Sequence, residues 1–162
     1  AKAEPRAKYQ EEISKAAVCK TDEELELPPP ANRTLIQFCC GQHSKLGQTR
    51  KATEGCDVIR ITDDLDMTVD NNVVHLIQQI ALIDGPILLW SSLPCTGSCP
   101  YNAINKNNPG GQDKIDSRVA KFALLFAAYK RVADAVLAQG GAIADEWPTG
   151  CLLWPEKEPY FG

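Results

Sequence analysis

A proline–cysteine pair, Pro94-Cys95, lies in a run of small and turn-forming residues, Ser92-Leu-Pro-Cys-Thr-Gly-Ser-Cys-Pro-Tyr-Asn102. A thiol presented in such a loop can act as a nucleophile if a helix end or a cation lowers its pKa. Downstream, Asp145-Glu146-Trp147-Pro148 offers a carboxylate that could pass a proton to or from the group under attack. A second set of residues suits a cofactor. Phe38-Cys-Cys-Gly41-Gln-His-Ser44 would let a ligand come close to the backbone at Gly41, with the amides that follow as donors. Asp63 or Asp64 could accept hydrogen bonds from two ribose hydroxyls. The bland alternatives are an acidic turn capping the next element and a cysteine buried as a small hydrophobe.

These residues fall where an α/β sheet would place them together. From Thr34 the sequence alternates short apolar strands with helices, the pattern of a mainly parallel sheet. The expected strands are Thr34–Phe38, Asp57–Ile61, Ile87–Ser91 and Ala142–Glu146, with Ile87–Ser91 apolar on both faces as a central strand. Helices are expected over Ser44–Thr53, over Asn72–Ile83 with Val73, Leu76, Ile77 and Ile80 buried, and over Asp113–Gln139. On the last, Val119, Phe122, Phe126, Tyr129, Ala133 and Val136 recur at steps of three and four. Ser92–Gln112 reads as a long loop, and Gly140-Gly141 stops the long helix. Each candidate group then sits at the carboxyl end of a strand, where open α/β sheets bind ligands.

The chain divides into an arm and Pro-rich linker (1–33), an α/β domain (34–148) and an aromatic, Pro-rich tail (149–162). In the arm, Pro5–Lys20 has helical spacing, and Pro28–Pro30 impose an extended connection. With 162 residues, 44% of them hydrophobic, the chain can build one core. No apolar run reaches the roughly 20 residues of a membrane span. The net charge of -4 lacks the excess of cations that binds duplex phosphates; His43, Lys45, Arg50 and Lys51 form the only local basic cluster, readable as a solvated helix face. The seven cysteines have no secreted-scaffold spacing, so a reducing compartment and no metal are expected. A start at Ala1 is compatible with a removed targeting peptide and hence with an organelle. Cys95 and Cys99 also admit a redox reading, although three intervening residues are not the usual two.

Over roughly Thr34–Pro148 the order of these pieces resembles that of the cytosine-5 DNA methyltransferases. Phe38-Cys-Cys-Gly41 is similar to that family's Phe-x-Gly-x-Gly loop, Pro94-Cys95 to its Pro-Cys motif, and Glu146 stands where it has Glu-Asn-Val. The resemblance implies a Rossmann-like, truncated class I methyltransferase fold and S-adenosylmethionine (AdoMet) as cofactor. It further implies that Phe38, Gly41, Asp63 or Asp64, and Pro94 bind the cofactor. Cys95 would attack carbon 6 of a flipped-out cytosine and Glu146 would protonate the ring nitrogen. Only one of the two loop glycines is present, Gln37 replaces an acid, a strand between Asp66 and Asp84 is shortened or lost, and Trp-Pro follows Glu146. The later arginine motif and target-recognition region do not follow. These departures favour a non-catalytic accessory subunit of a larger assembly, docked through the arm and an exposed tail of Trp147, Trp154, Tyr160 and Phe161. The other outcome is a methyltransferase domain active within a longer chain or complex, with nucleic acid as substrate.

Overall fold

A computed structural model describes residues 33–48, 56–148 and 150–152. Strands β1 (Arg33–Phe38), β2 (Cys56–Ile61), β3 (Ile87–Ser91) and β4 (Ala142–Asp145) form one sheet in the order β2-β1-β3-β4. Every pairing is parallel, with Ile36 beside Ile59 and Leu89, and Leu89 beside Ile143. The protein is thus an α/β fold with a Rossmann-like, all-parallel sheet. The helices among the described residues are α1 (Asp70–Ile80), the single-turn α2 (Asn102–Asn105) and the 28-residue α3 (Gly111–Ala138); Thr96–Ser98 forms a 3₁₀ turn.

The register assigns side chains to faces. Ile36, Phe38, Ile59, Ile61, Ile87, Leu89 and Ile143 share one face with Ser91 and Asp145. Against it pack Val73, Leu76 and Ile80 of α1 and Phe122, Phe126, Tyr129, Val132 and Val136 of α3, forming one core. Both helices lie on this face because the β2-to-β3 and β3-to-β4 connections step in the same direction across the sheet, and parallel crossovers are right-handed. The β1-to-β2 connection steps the other way. Its described part accordingly lies on the opposite face, where Gln37 Nε2 donates to the Leu46 carbonyl at 2.6 Å. Leu88 on that face stays 38% exposed, so β3 is fully covered on one side only, unlike the expectation from its composition.

Other boundaries shift for local reasons. Residues 44–48 are turns rather than the start of a helix; the rest of that expected helix lies outside the described residues. Gly47 has φ 73°, a left-handed conformation that interrupts helical hydrogen bonding, and a Cβ there would stand 2.9 Å from Val58 Cγ2. Helix α1 ends at Ile80, with Ala81–Ile83 continuing as turns rather than helix. The expected long loop contains α2, held by Asn102 Nδ2, which donates to the carbonyls of Thr96 and Gly97 at 2.9 Å each. Helix α3 stops as expected: Gly140 takes φ 74°, and the Gly140 and Gly141 amides donate to the Leu137 and Val136 carbonyls.

Candidate functional site

Strands β1 and β3 are neighbours whose outgoing connections leave on opposite faces, which opens a crevice beyond their carboxyl ends. A cleft of about 470 Å³ occupies it, within the range of small-molecule sites. Its walls come from Cys39–Gly41 after β1, from Ile61–Asp63 and Leu65–Met67 after β2, from Ser92 and Pro94 after β3, and from Lys121 and Leu125 of α3. Three backbone bonds carry the pairing just past the strand ends and fix where the loops depart: Cys40 N to Ile61 O (3.2 Å), Ser92 N to Phe38 O (3.0 Å) and Glu146 N to Ser91 O (3.0 Å).

Of the five residues expected to bind a cofactor, Gly41, Asp63 and Pro94 line this cleft. A Cβ at Gly41 would meet nothing within 4 Å, so the missing side chain leaves the cavity open rather than relieving a clash. Asp63 is exposed toward it, whereas Asp64 accepts from Gln42 Nε2 at 2.7 Å and from Thr62 Oγ1 at 3.3 Å. Phe38 lies in the core, fully buried and edge-on to Tyr129 at 5.7 Å, and does not line the cleft. Its influence on a ligand can only be exerted through the strand it anchors.

Cys39, the residue after β1, adopts φ 59°. Left-handed backbone costs a non-glycine residue roughly 1–2 kcal/mol, and such strain concentrates at binding loops. Sequence reasoning missed three further residues of the cleft. Asp66 accepts from the Thr68 hydroxyl (2.7 Å) and amide (2.9 Å), which hold its carboxyl below the usual range, with Lys121 adding a smaller pull in the same direction. Lys121 brings the only cation among the lining residues, and Ser92 a hydroxyl. An Asp-x-Thr turn was readable as a cap, but nothing local in the sequence links Lys121 to it.

A smaller cleft of about 340 Å³ adjoins the first through Ser92 and is lined by Leu93, Cys95, Glu146, Trp147 and Pro148. Cys95 and Glu146, paired from the sequence, both line this cleft. Ser92 Oγ donates to Glu146 Oε1 at 2.5 Å, tying the β3 and β4 loops together. Beneath them the Tyr129 hydroxyl donates to Asp145 Oδ2 at 2.8 Å, and Ser91 Oγ donates to Asp145 Oδ1. That triad is spread over residues 91, 129 and 145 and leaves no local signature in the sequence. Trp147 is only 9% exposed, donates from Nε1 to the Leu93 carbonyl at 2.6 Å and packs on Phe122 at 5.6 Å. It therefore braces the site and is no part of an exposed docking tail. The remaining tail aromatics and the N-terminal arm lie outside the described residues.

The chemistry of Cys95 differs from the expectation. Burial pushes its thiol up, and the neighbouring Cys151 and Cys99 push in the same direction. Among the described residues no lysine or arginine lines its cleft, and the 3₁₀ turn that follows is too short to act as a helix N-terminus. Burial likewise raises the Cys40 thiol, although its backbone contacts and Arg60 work against the shift.

No protein-family model, curated protein or solved structure matches the chain. Among the described residues no group of three His, Cys, Asp or Glu side chains could hold a metal ion, and no helix is long and apolar enough to cross a membrane.

Proposed function

We propose that the chain is a methyltransferase-type domain that binds AdoMet in the cleft at the carboxyl ends of β1 and β2 and presents Cys95 and Glu146 in the adjoining one. The observation that carries this reading is the meeting of the two clefts at Ser92, with Gly41, Asp63 and Pro94 in the first and Cys95 and Glu146 in the second. The walls suit such a ligand chemically. Leu65, Met67 and Leu125 offer apolar contact to a purine, Asp63 can accept from ribose hydroxyls, and the open space over Gly41 admits the thioether chain. When bound, AdoMet supplies an electrophilic methyl group; the chain's own residues must bring a nucleophile beside it and exclude water. In this reading Glu146, held by Ser92, would share a proton with a heterocycle lying over Cys95.

The raised Cys95 thiol, and a cleft with no cation among its described residues, favour a second reading, a domain that keeps the ligand but serves as a non-catalytic accessory subunit of a larger assembly, such as one in an organelle. Calorimetric titration with AdoMet and S-adenosylhomocysteine tests what the two readings share. Micromolar binding, roughly 8 kcal/mol, is expected. Asp63→Ala should weaken it about ten- to a hundredfold, as loss of charge-assisted hydrogen bonds worth about 1.5–3 kcal/mol would do. A folded sample that evolves no binding heat with either ligand refutes the assignment. Methyl transfer to single-stranded or duplex DNA by the wild-type chain, lost in Cys95→Ser, would then separate the first reading from the second.

A further inference from the structure

Cys95 and Cys151 are brought together from positions 56 residues apart in the chain. After Pro148 the chain turns back, with the Cys151 amide donating to the Pro148 carbonyl at 2.9 Å. The Leu152 amide then donates to the Ser98 carbonyl at 3.4 Å, laying residues 150–152 along the loop that carries Cys95. Cys151 is 6% exposed and belongs to the core; Cys95 packs against that core while also lining the smaller cleft. The Leu152–Ser98 bond sets Cys151 beside the loop of Cys95, and after burial Cys151 is the largest influence raising the Cys95 thiol. Two other thiols are directed elsewhere: Cys40 Sγ toward the Ile61 carbonyl and Cys56 Sγ toward that of Asp57. Cys99 also neighbours Cys95, from the far end of the 3₁₀ turn in extended backbone, and its influence on the Cys95 thiol is smaller than that of Cys151.

We propose that Cys95 and Cys151 are a reversible dithiol–disulfide pair, oxidised by low-molecular-weight disulfides such as glutathione disulfide, whose closure pins residues 150–152 to the Pro94-Cys95 loop and withdraws the Cys95 sulfur from the cleft. Cys95, the more accessible, attacks first. Its thiolate displaces one glutathione thiolate to give a mixed disulfide, and its proton passes through solvent to the departing sulfur. Cys151 then attacks the Cys95 sulfur, the Cys95–glutathione bond breaks, and a second glutathione leaves with the Cys151 proton. Two protein thiols are oxidised by two electrons in all, and one disulfide is reduced to two thiols. Because burial disfavours the Cys95 thiolate, the first step is slow at neutral pH and quickens as pH rises. The second is intramolecular between groups that the fold holds as neighbours, so the mixed disulfide does not accumulate.

The test uses the whole chain, folded, with glutathione disulfide, followed by non-reducing digestion and mass spectrometry. A Cys95–Cys151 peptide link is expected, with a loss of two hydrogens, recovery of both thiols on adding dithiothreitol, and protection of Cys95 from iodoacetamide while the link lasts. Cys151→Ser should leave Cys95 trapped as its glutathione adduct, and Cys99→Ser should leave the link intact. A Cys95–Cys99 link, a stable Cys95–glutathione adduct in the wild-type chain, or two free thiols after oxidation would each overturn the proposal. If Cys151→Ser does not fold, the link mapped in the wild-type chain still decides. No step involves AdoMet, so failure to bind that ligand would leave this result standing.

Discussion

Replacing Tyr129 by Phe removes a single oxygen from the middle of the structure. The ring is fully buried, edge-on to Phe38 and stacked on Phe126 at 6.2 Å, and phenylalanine can keep both contacts. What goes is the 2.8 Å bond to Asp145 Oδ2 at the end of β4. A hydrogen bond to a charged group is worth about 1.5–3 kcal/mol. Asp145 retains the Ser91 hydroxyl, so the expected loss is about 2 kcal/mol. In urea, with a slope of roughly 2 kcal/mol/M, the unfolding midpoint should fall by about 1 M with the slope unchanged. The melting temperature of a chain this size should drop by roughly 4–8 °C. Ser91→Ala, alone and combined with Tyr129→Phe, completes a cycle in which the two changes should couple, because both act on one carboxylate. A loss below about 0.5 kcal/mol would mean that the hydroxyl and Asp145 are not bonded in the folded protein. Full additivity in the cycle would mean that the two hydroxyls do not share a carboxylate.

Gly97→Ala should disturb the same region from the other side. An added Cβ would lie 3.0 Å from both Val119 Cγ2 and the Val119 amide nitrogen, so the Cys95 loop must move off α3. A destabilisation of about 1–3 kcal/mol and faster alkylation of Cys95 are expected; unchanged melting and labelling would contradict the contact. The pH profile of thiol labelling offers a further check. Cys40 and Cys95 should react with iodoacetamide along curves displaced to higher pH than the same thiols in urea. A thiol raised by folding binds its proton more tightly in the native state. Its contribution to stability is therefore present below the unfolded thiol pKa and is lost as pH rises through the folded one. Coincident folded and unfolded curves would count against the burial described here.

The sheet was legible because its strands are short runs of Ile, Leu and Val punctuated by Gly, Pro and Asp, and the buried stripe of α3 emerged from the spacing of Phe122, Phe126, Tyr129, Ala133 and Val136. Val119, on the same stripe, stays 41% exposed although the Gly97 turn lies against it. The pairing of Cys95 with Glu146 was legible too, since parallel strands deliver their carboxyl ends to one side. What escaped was long-range. Nothing near residue 47 in the sequence says that its glycine must pass close to Val58. Nothing near Trp147 says that its indole reaches the Leu93 carbonyl, so its aromatic tail neighbours made it look like a docking group. The thiol chemistry of Cys95 depends on Cys151, brought back by a turn that no periodicity marks.

The sheet order also bears on how the protein comes to be made. No two strands here can pair as a hairpin; each pairing waits for a crossover, and parallel sheets are slow to form for that reason. In synthesis order, β1 acquires β2 first and β3 later, and the wall of the larger cleft is complete in sequence at Leu125. The smaller cleft needs Glu146, Trp147 and Pro148 and so closes last. Until β4 emerges, the apolar stripe of α3 lacks part of its cover, although α1, β3 and the Gly97 turn already lie against it. A chain stalled between these points would hold a formed ligand pocket beside a sticky, half-covered helix, a natural substrate for chaperones or for premature partners.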